Sequence, residues 1–123
     1  MSSRSLIQLK ENAERLREEG NSELAFQTMT EYLKQVHPSF TQASHLFLAE
    51  IHFENRRYED ALNECNISIS LMNNFIPALE LRSRIFETMS DLVKAELDRE
   101  KIQNIRKIEQ SKWDDPNHYY HYK

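Results

Sequence analysis

The sequence predicts an all-α fold built from stacked helical hairpins, and three observations carry that prediction. Ala61 and Ala95 lie 34 residues apart in matching frames, Tyr58-Glu59-Asp60-Ala61-Leu62 and Leu92-Val93-Lys94-Ala95-Glu96, a spacing that belongs to helix-turn-helix arrays. One Gly and three Pro in 123 residues leave little material for tight β-turns, while Leu, Glu, Lys, Arg, Gln and Ala favour helix. Apolar residues also recur at steps of three and four along most of the chain. A single hairpin cannot bury its apolar face, so hairpins stack around a shared core and leave a groove on one side.

The first helix is carried by Leu6, Leu9, Ala13 and Leu16 between Ser5 and Glu19, with Lys10, Glu11, Glu14, Arg15 and Glu18 between them. Gly20-Asn21-Ser22 breaks it, and Asn21 or Ser22 offers an N-cap to a second helix through Leu24, Ala25, Met29, Tyr32, Leu33 and Val36. Pro38-Ser39-Phe40-Thr41 stops that helix and caps a third, whose apolar residues are Leu46, Leu48, Ala49, Ile51 and Phe53. After Asn55-Arg56-Arg57 a fourth runs from about Tyr58 to Met72. Asn73-Asn74 is the next turn, and Pro77 fits the first turn of a fifth helix bearing Leu79, Leu81, Ile85, Phe86 and Met89. Ser90-Asp91 is a turn and cap before a sixth helix, which Leu92, Ala95, Ile102, Ile105 and Ile108 prolong to about Ser111. Residues 1–112 thus form one helical domain with repeats at about 6–41, 42–75 and 76–109, followed by a non-helical tail at 113–123. That tail holds Trp113, Tyr119, Tyr120 and Tyr122, too many rings for a purely solvated segment.

A net charge of −4 argues against a nucleic-acid binder, which normally shows a basic face. No apolar run approaches the roughly 20 residues of a membrane span, and the first residues lack a secretory apolar core. The expected compartment is the cytoplasm, with the nucleus as the alternative; the lone Cys65 suits a reducing environment. With one glycine there is no phosphate-binding loop, and Cys65 reads as a buried structural thiol. His45 and His52 share a helix face seven residues apart without further ligands, and His118 and His121 read as a surface pair. No metal, no cofactor and no catalysis is expected.

Aligned on Ala25, Ala61 and Ala95, the chain resembles the tetratricopeptide repeat family over about residues 6–109. Ala13, Ala49 and Ser83 match the small residue of each first helix, and the three aligned alanines that of each second helix. Such residues let helices approach at the short end of the 8–10 Å range. The repeats are degenerate. Asn12 and Arg82 stand where the family prefers leucine, Arg99 where it prefers an aromatic, and the first repeat runs about two residues over. The resemblance implies a right-handed superhelical solenoid of three antiparallel hairpins with an extended C-terminal capping helix. It also implies a concave groove lined by the first helices: Lys10, Glu14 and Arg17, then Leu46, Phe47, Glu50, Phe53 and Glu54, then Glu80, Leu81, Arg84 and Glu87. Acidic residues outnumber basic ones there, so the expected ligand is a peptide or protein segment bearing basic and apolar residues.

Some family members use a five-residue clamp to hold the acidic tail of heat-shock chaperones. Lys10 matches its first lysine, but Glu14, Phe47, Pro77 and Leu81 occupy the other four positions, so no clamp of this kind is expected. The function implied is a non-catalytic adaptor or assembly subunit. Two alternatives stand beside it. Tyr119-Tyr120 resembles the start of a J-domain, which would make the chain a co-chaperone fragment, although no His-Pro-Asp motif is present. In the other, the chain is a structural subunit whose last helix and tail pack on a neighbour. In either case Ile102, Ile105, Ile108, Trp113, Tyr119, Tyr120 and Tyr122 form a C-terminal interface, covered by the chain's own tail, by a partner or by a second copy in a homodimer.

Overall fold

The structure is a computed structural model that describes residues 2–114. Six α-helices follow one another: α1 (Ser3–Glu18), α2 (Ser22–Gln35), α3 (Gln42–Glu54), α4 (Tyr58–Leu71), α5 (Ile76–Thr88) and α6 (Leu92–Asp114), the longest. They pair as three hairpins, α1 with α2, α3 with α4 and α5 with α6, stacked through α2 on α3 and α4 on α5. Helix α5 also touches α3, whereas α1 makes no such backbone approach to α3. Helix α6 runs past the boundary expected at residue 112. Trp113 and Asp114 continue α6, because nothing between Ile108 and Asp114 breaks a helix. Tyr119, Tyr120, Tyr122, His118 and His121 lie outside the described residues.

All three hairpin turns close in one way. The helix ends in a Schellman turn, with Asn21 N–H donating to the Leu16 carbonyl, Arg57 N–H to His52, and Asp91 N–H to Phe86, at 2.8, 2.9 and 2.8 Å. Each turn needs a left-handed residue, and these are Gly20 (φ 85°), Arg56 (φ 60°) and Ser90 (φ 64°). Glycine alone adopts that region without cost, so the second and third turns carry local strain that packing must hold. Asp91 caps α6 by accepting from Lys94 N–H at 3.2 Å. Asn21 and Thr41 precede α2 and α3 without a side-chain cap bond, Thr41 instead donating to the Pro38 carbonyl at 2.6 Å.

The six small residues are where the frame puts them. Ala13, Ala25, Ala49, Ala61 and Ala95 are fully buried, and Ser83 nearly so. Around them, Ala49, Ala61, Cys65, Leu81 and Ile85 form one apolar cluster between the second and third hairpins, and Ile69, Ala78, Leu79 and Ile102 form another. A smaller cluster of Ala13, Met29 and Leu48 joins the first hairpin to α3. The long first repeat has a local cause: residues 36–41 connect α2 to α3 where residues 72–75 suffice between α4 and α5. Phe40 sits in that insertion, left-handed at φ 63° and 91% exposed.

The array closes at α6. Leu62, Cys65 and Ile69 of α4 pack in the clusters shared with α5. One repeat later the same positions are Glu96, Arg99 and Gln103, so α6 presents a largely polar face where a fourth hairpin would stack, with exposed Leu92, at the position of Tyr58, as its apolar exception.

Candidate functional site

Helices α1, α3 and α5 place eight of the twelve expected groove residues in two depressions. Between α1 and α3, Glu14, Arg17, Glu18 and Phe47 line a hollow of about 390 Å³. Between α3 and α5, Leu46, Glu50, Pro77, Glu80, Leu81 and Arg84 line one of about 180 Å³. Both are open and shallow, suited to side chains of a bound segment rather than to an engulfed small molecule.

The charges of this face are largely spoken for. Arg17 reaches across from α1 to Glu50 (3.2 Å) and Glu54 (2.6 Å) on α3, its guanidinium 5.4 Å from the Phe47 ring. Partial burial works against the Arg17 charge, but the hydrogen bond to Glu54 and the fields of both glutamates outweigh it and raise its pKa. Arg84 lies 5.3 Å from the Phe53 ring. From α6, Arg106 pairs with Glu80 at 3.0 Å, and Arg99 pairs with Glu87. Glu14 and Glu18 have no ion pair among the described residues, so the open negative charge concentrates beside Phe47.

Most of these residues therefore meet, Glu54 and Phe53 through Arg17 and Arg84 at the edges of the hollows, with three departures. Glu87 lines neither hollow and pairs with Arg99 of α6 instead. Leu81 is not an exposed anchor: it is only 5% exposed, packs with Ala49, Cys65 and Ile85, and gives the second hollow its floor. Its register on α5 points it between α3 and α4, which spacing along one helix does not reveal. Lys10 lies apart from both hollows, in a separate cavity of about 500 Å³ with Leu6, Ile7, Glu14, Tyr32 and Val36. Leu46, Phe47 and Phe53 are half-buried, Phe53 leaning on the Tyr58 ring with centroids 5.8 Å apart.

The expected C-terminal interface divides as well. Ile102 is buried on Ile69, Ala78 and Leu79 of its own domain, and Ile105 packs beside it, so neither awaits a partner. Ile108 and Trp113 are both 58% exposed.

Sequence reasoning missed a polar network behind the groove. Arg82 donates to Asp98 from Nε (2.8 Å) and from Nη2 (2.6 Å), and to Asn66 at 3.0 Å, tying α4, α5 and α6 together around a carboxylate that is nearly buried. The hydrogen bond to Asp98 raises the Arg82 pKa against the opposing effect of burial. An arginine where the family prefers leucine was the available signal. On the opposite side His52 stacks edge-on against Phe26 with centroids 4.8 Å apart and accepts from Arg57 Nε at 2.9 Å. Burial and the Arg57 charge lower its pKa. His45 Nδ1 lies 2.7 Å from Glu64.

Burial pushes the Cys65 thiol up to about 12, so it stays protonated at neutral pH and is a poor nucleophile. No group of three metal-ligating side chains occurs among the described residues.

No protein-family model and no curated protein matches the sequence. Solved structures do. PcrH, in complex with the chaperone binding region of PopB, superposes with a TM-score of 0.78 at 17% identity, covering 96% of this chain and 89% of that one. The first tetratricopeptide domain of Spaghetti (RPAP3), bound to the HSP90 peptide SRMEEVD, gives 0.73 at 19% identity over 90% and 98% of the two chains. The chain has the tetratricopeptide fold. The second tetratricopeptide domain of Spaghetti, bound to the same peptide, agrees at 0.73 and 20% identity, covering 81% of this chain and 91% of that one. Within the tetratricopeptide frame α1, α3 and α5 are the first helices of the three repeats, and α6 is an elongated last helix.

Proposed function

We propose that the chain is a non-catalytic adaptor that holds a segment of another protein across the groove formed by α1, α3 and α5. The carrying observation is the hollow where Phe47 stands among Glu14, Glu18 and the paired Arg17, an apolar anchor rimmed by uncompensated carboxylates. A lysine- or arginine-bearing segment with one apolar side chain complements that hollow in both respects. The peptides held by PcrH and by the Spaghetti domains support the use of this fold for such a task. The inert Cys65 thiol fits a role without chemistry.

The reading includes the absence of a carboxylate clamp. Glu14, Phe47, Pro77 and Leu81 offer neither cation nor amide donor where the family's clamp has them, and Leu81 is closed in the core. The same reading assigns the chain to the cytoplasm or nucleus, a reducing compartment that suits its lone, buried Cys65 thiol. No helix among the described residues is long and apolar enough to cross a membrane.

Fluorescence anisotropy with labelled peptides tests this. A Lys/Leu-rich peptide is expected to bind, weaker as salt rises, and Phe47→Ala is expected to reduce its affinity about tenfold, the loss of one good anchor. The acidic peptide SRMEEVD is expected not to bind. Tight SRMEEVD binding, or basic-peptide binding indifferent to Phe47→Ala, would refute the proposal.

A further inference from the structure

The first hairpin leaves open a place that the second closes. Leu6, Ile7 and Lys10 of α1 and Tyr32 and Val36 of α2 wall a cavity of about 500 Å³. In the frame that carries Ala13 to Ala49 and Ala25 to Ala61, Leu6, Tyr32 and Val36 become Gln42, Ser68 and Met72. There the Ser68 hydroxyl donates to the Gln42 carbonyl at 2.7 Å, and Gln42 Nε2 reaches Met72 Sδ at 3.5 Å, tying α3 to α4 at that end. Lys10 becomes Leu46, which packs against both apolar clusters of the later hairpins. The first hairpin has neither the tie nor the plug, and Ile7 stays 58% exposed at the mouth.

The cavity continues the groove. Ile7, Lys10, Glu14 and Arg17 fall within about 80° of arc on α1, and Glu14 borders both the cavity and the Phe47 hollow. The step from Ile7 to Glu14, like that from Lys10 to Arg17, is about 10.5 Å along the helix axis. Along the outer edge Glu11, Glu14 and Glu18 follow at steps of three and four residues, and none has an ion pair among the described residues. Lys10 lies on the other edge, about 100° from Glu11. Two apolar sockets nearly two turns apart, with a carboxylate at each turn between them, repeat at the period of an α-helix. An extended strand covers the same distance in about three residues, which puts its first and last side chains on opposite faces.

We infer that the occupant of the groove is a basic amphipathic helix of another protein, laid along α1. It places two apolar side chains seven residues apart, one in the cavity beside Ile7 and one against Phe47, with lysines or arginines facing Glu11, Glu14 and Glu18. This rests on the groove reading above and adds to it a second anchor, a spacing and a conformation.

Fluorescence anisotropy of the full chain with labelled alanine-based peptides of about 15 residues tests each addition. The probe carries two leucines seven residues apart and lysines along one edge. It is expected to bind about tenfold tighter than either peptide with one leucine replaced by alanine. Ile7→Ser is expected to cancel the gain from one leucine and Phe47→Ala the gain from the other, with helical circular dichroism unchanged for Ile7→Ser because that side chain is mostly exposed. Moving the second leucine to five residues away turns it about 140° round the helix, and a proline midway breaks the helix; both peptides are expected to bind no better than the single-leucine ones. A two-leucine advantage that ignores Ile7→Ser, or that survives the altered spacing or the proline, overturns the inference. If the second leucine adds nothing while Phe47→Ala still weakens binding, the inference fails and the groove reading stands. If no basic peptide binds, both fail.

Discussion

The two junctions between hairpins are built from different materials. The second and third hairpins meet through two apolar clusters, with Leu81, Ile85 and Leu79 buried and α5 touching both α3 and α4. The first hairpin meets the second through a smaller cluster, and α1 reaches α3 by the long Arg17 side chain to Glu50 and Glu54. Apolar burial scales with area and is indifferent to salt, whereas a half-exposed ion pair contributes little and is screened. Hence the C-terminal two-thirds is the stable unit and the first hairpin the adjustable one. The open carboxylates and Phe47 lie along the adjustable junction, so the proposed groove is expected to have room to adapt to a bound segment.

The largest effect expected to sharpen this contrast is at the apolar junction. Leu81→Ala removes a buried side chain between α3, α4 and α5 and is expected to cost about 3 kcal/mol in chemical denaturation. Arg17→Ala at the ionic junction is expected to cost about 1 kcal/mol, vanishing in high salt. Its signature is faster hydrogen exchange in α1 and α2 with α5 and α6 unchanged; uniform acceleration would break the contrast. Arg56→Gly relieves the left-handed turn of the middle hairpin and is expected to add about 0.5 kcal/mol, the difference between the relieved strain and glycine's extra unfolded-state entropy.

The smallest effect concerns acid. His52, at the ionic junction, has its pKa lowered by burial and by Arg57, whose Nε–H donates to Nδ1 and so requires the neutral ring. A group with a depressed folded pKa leaves stability intact above its unfolded value, about 6.5, and loses it as pH falls below. Acidification from pH 7.5 to 5.5 is therefore expected to destabilise the protein slightly, and His52→Gln to flatten that slope in thermal melts.

The helix count, the six small packing residues and the break points were legible in the sequence because they follow from spacing. Gly20, Pro77 and Asp91 marked their turns as local chemistry dictates. Register across the stack was not legible. Leu81 and Leu46 look alike on paper, but one faces α4 and the other the groove margin, and Ile102 is inside because α5 begins and α4 ends beside it. Arg17, Glu50 and Glu54 all stood in the predicted groove, but their pairing needs the distance between two helices. Left-handed Arg56 and Ser90 carried no signal, since tertiary packing imposes what glycine would have announced.

The polar stacking face of α6 also limits what can be made from this domain. Fusing a consensus hairpin after residue 114 adds a bead on a string, because Glu96, Arg99 and Gln103 leave an incoming helix only Leu92 to bury against. Growth of the rod would begin by rewriting those three positions with the residues that α4 already uses, Leu62, Cys65 and Ile69. The array thus carries its own ruler: the count of its stacked hairpins is written on the side of α6.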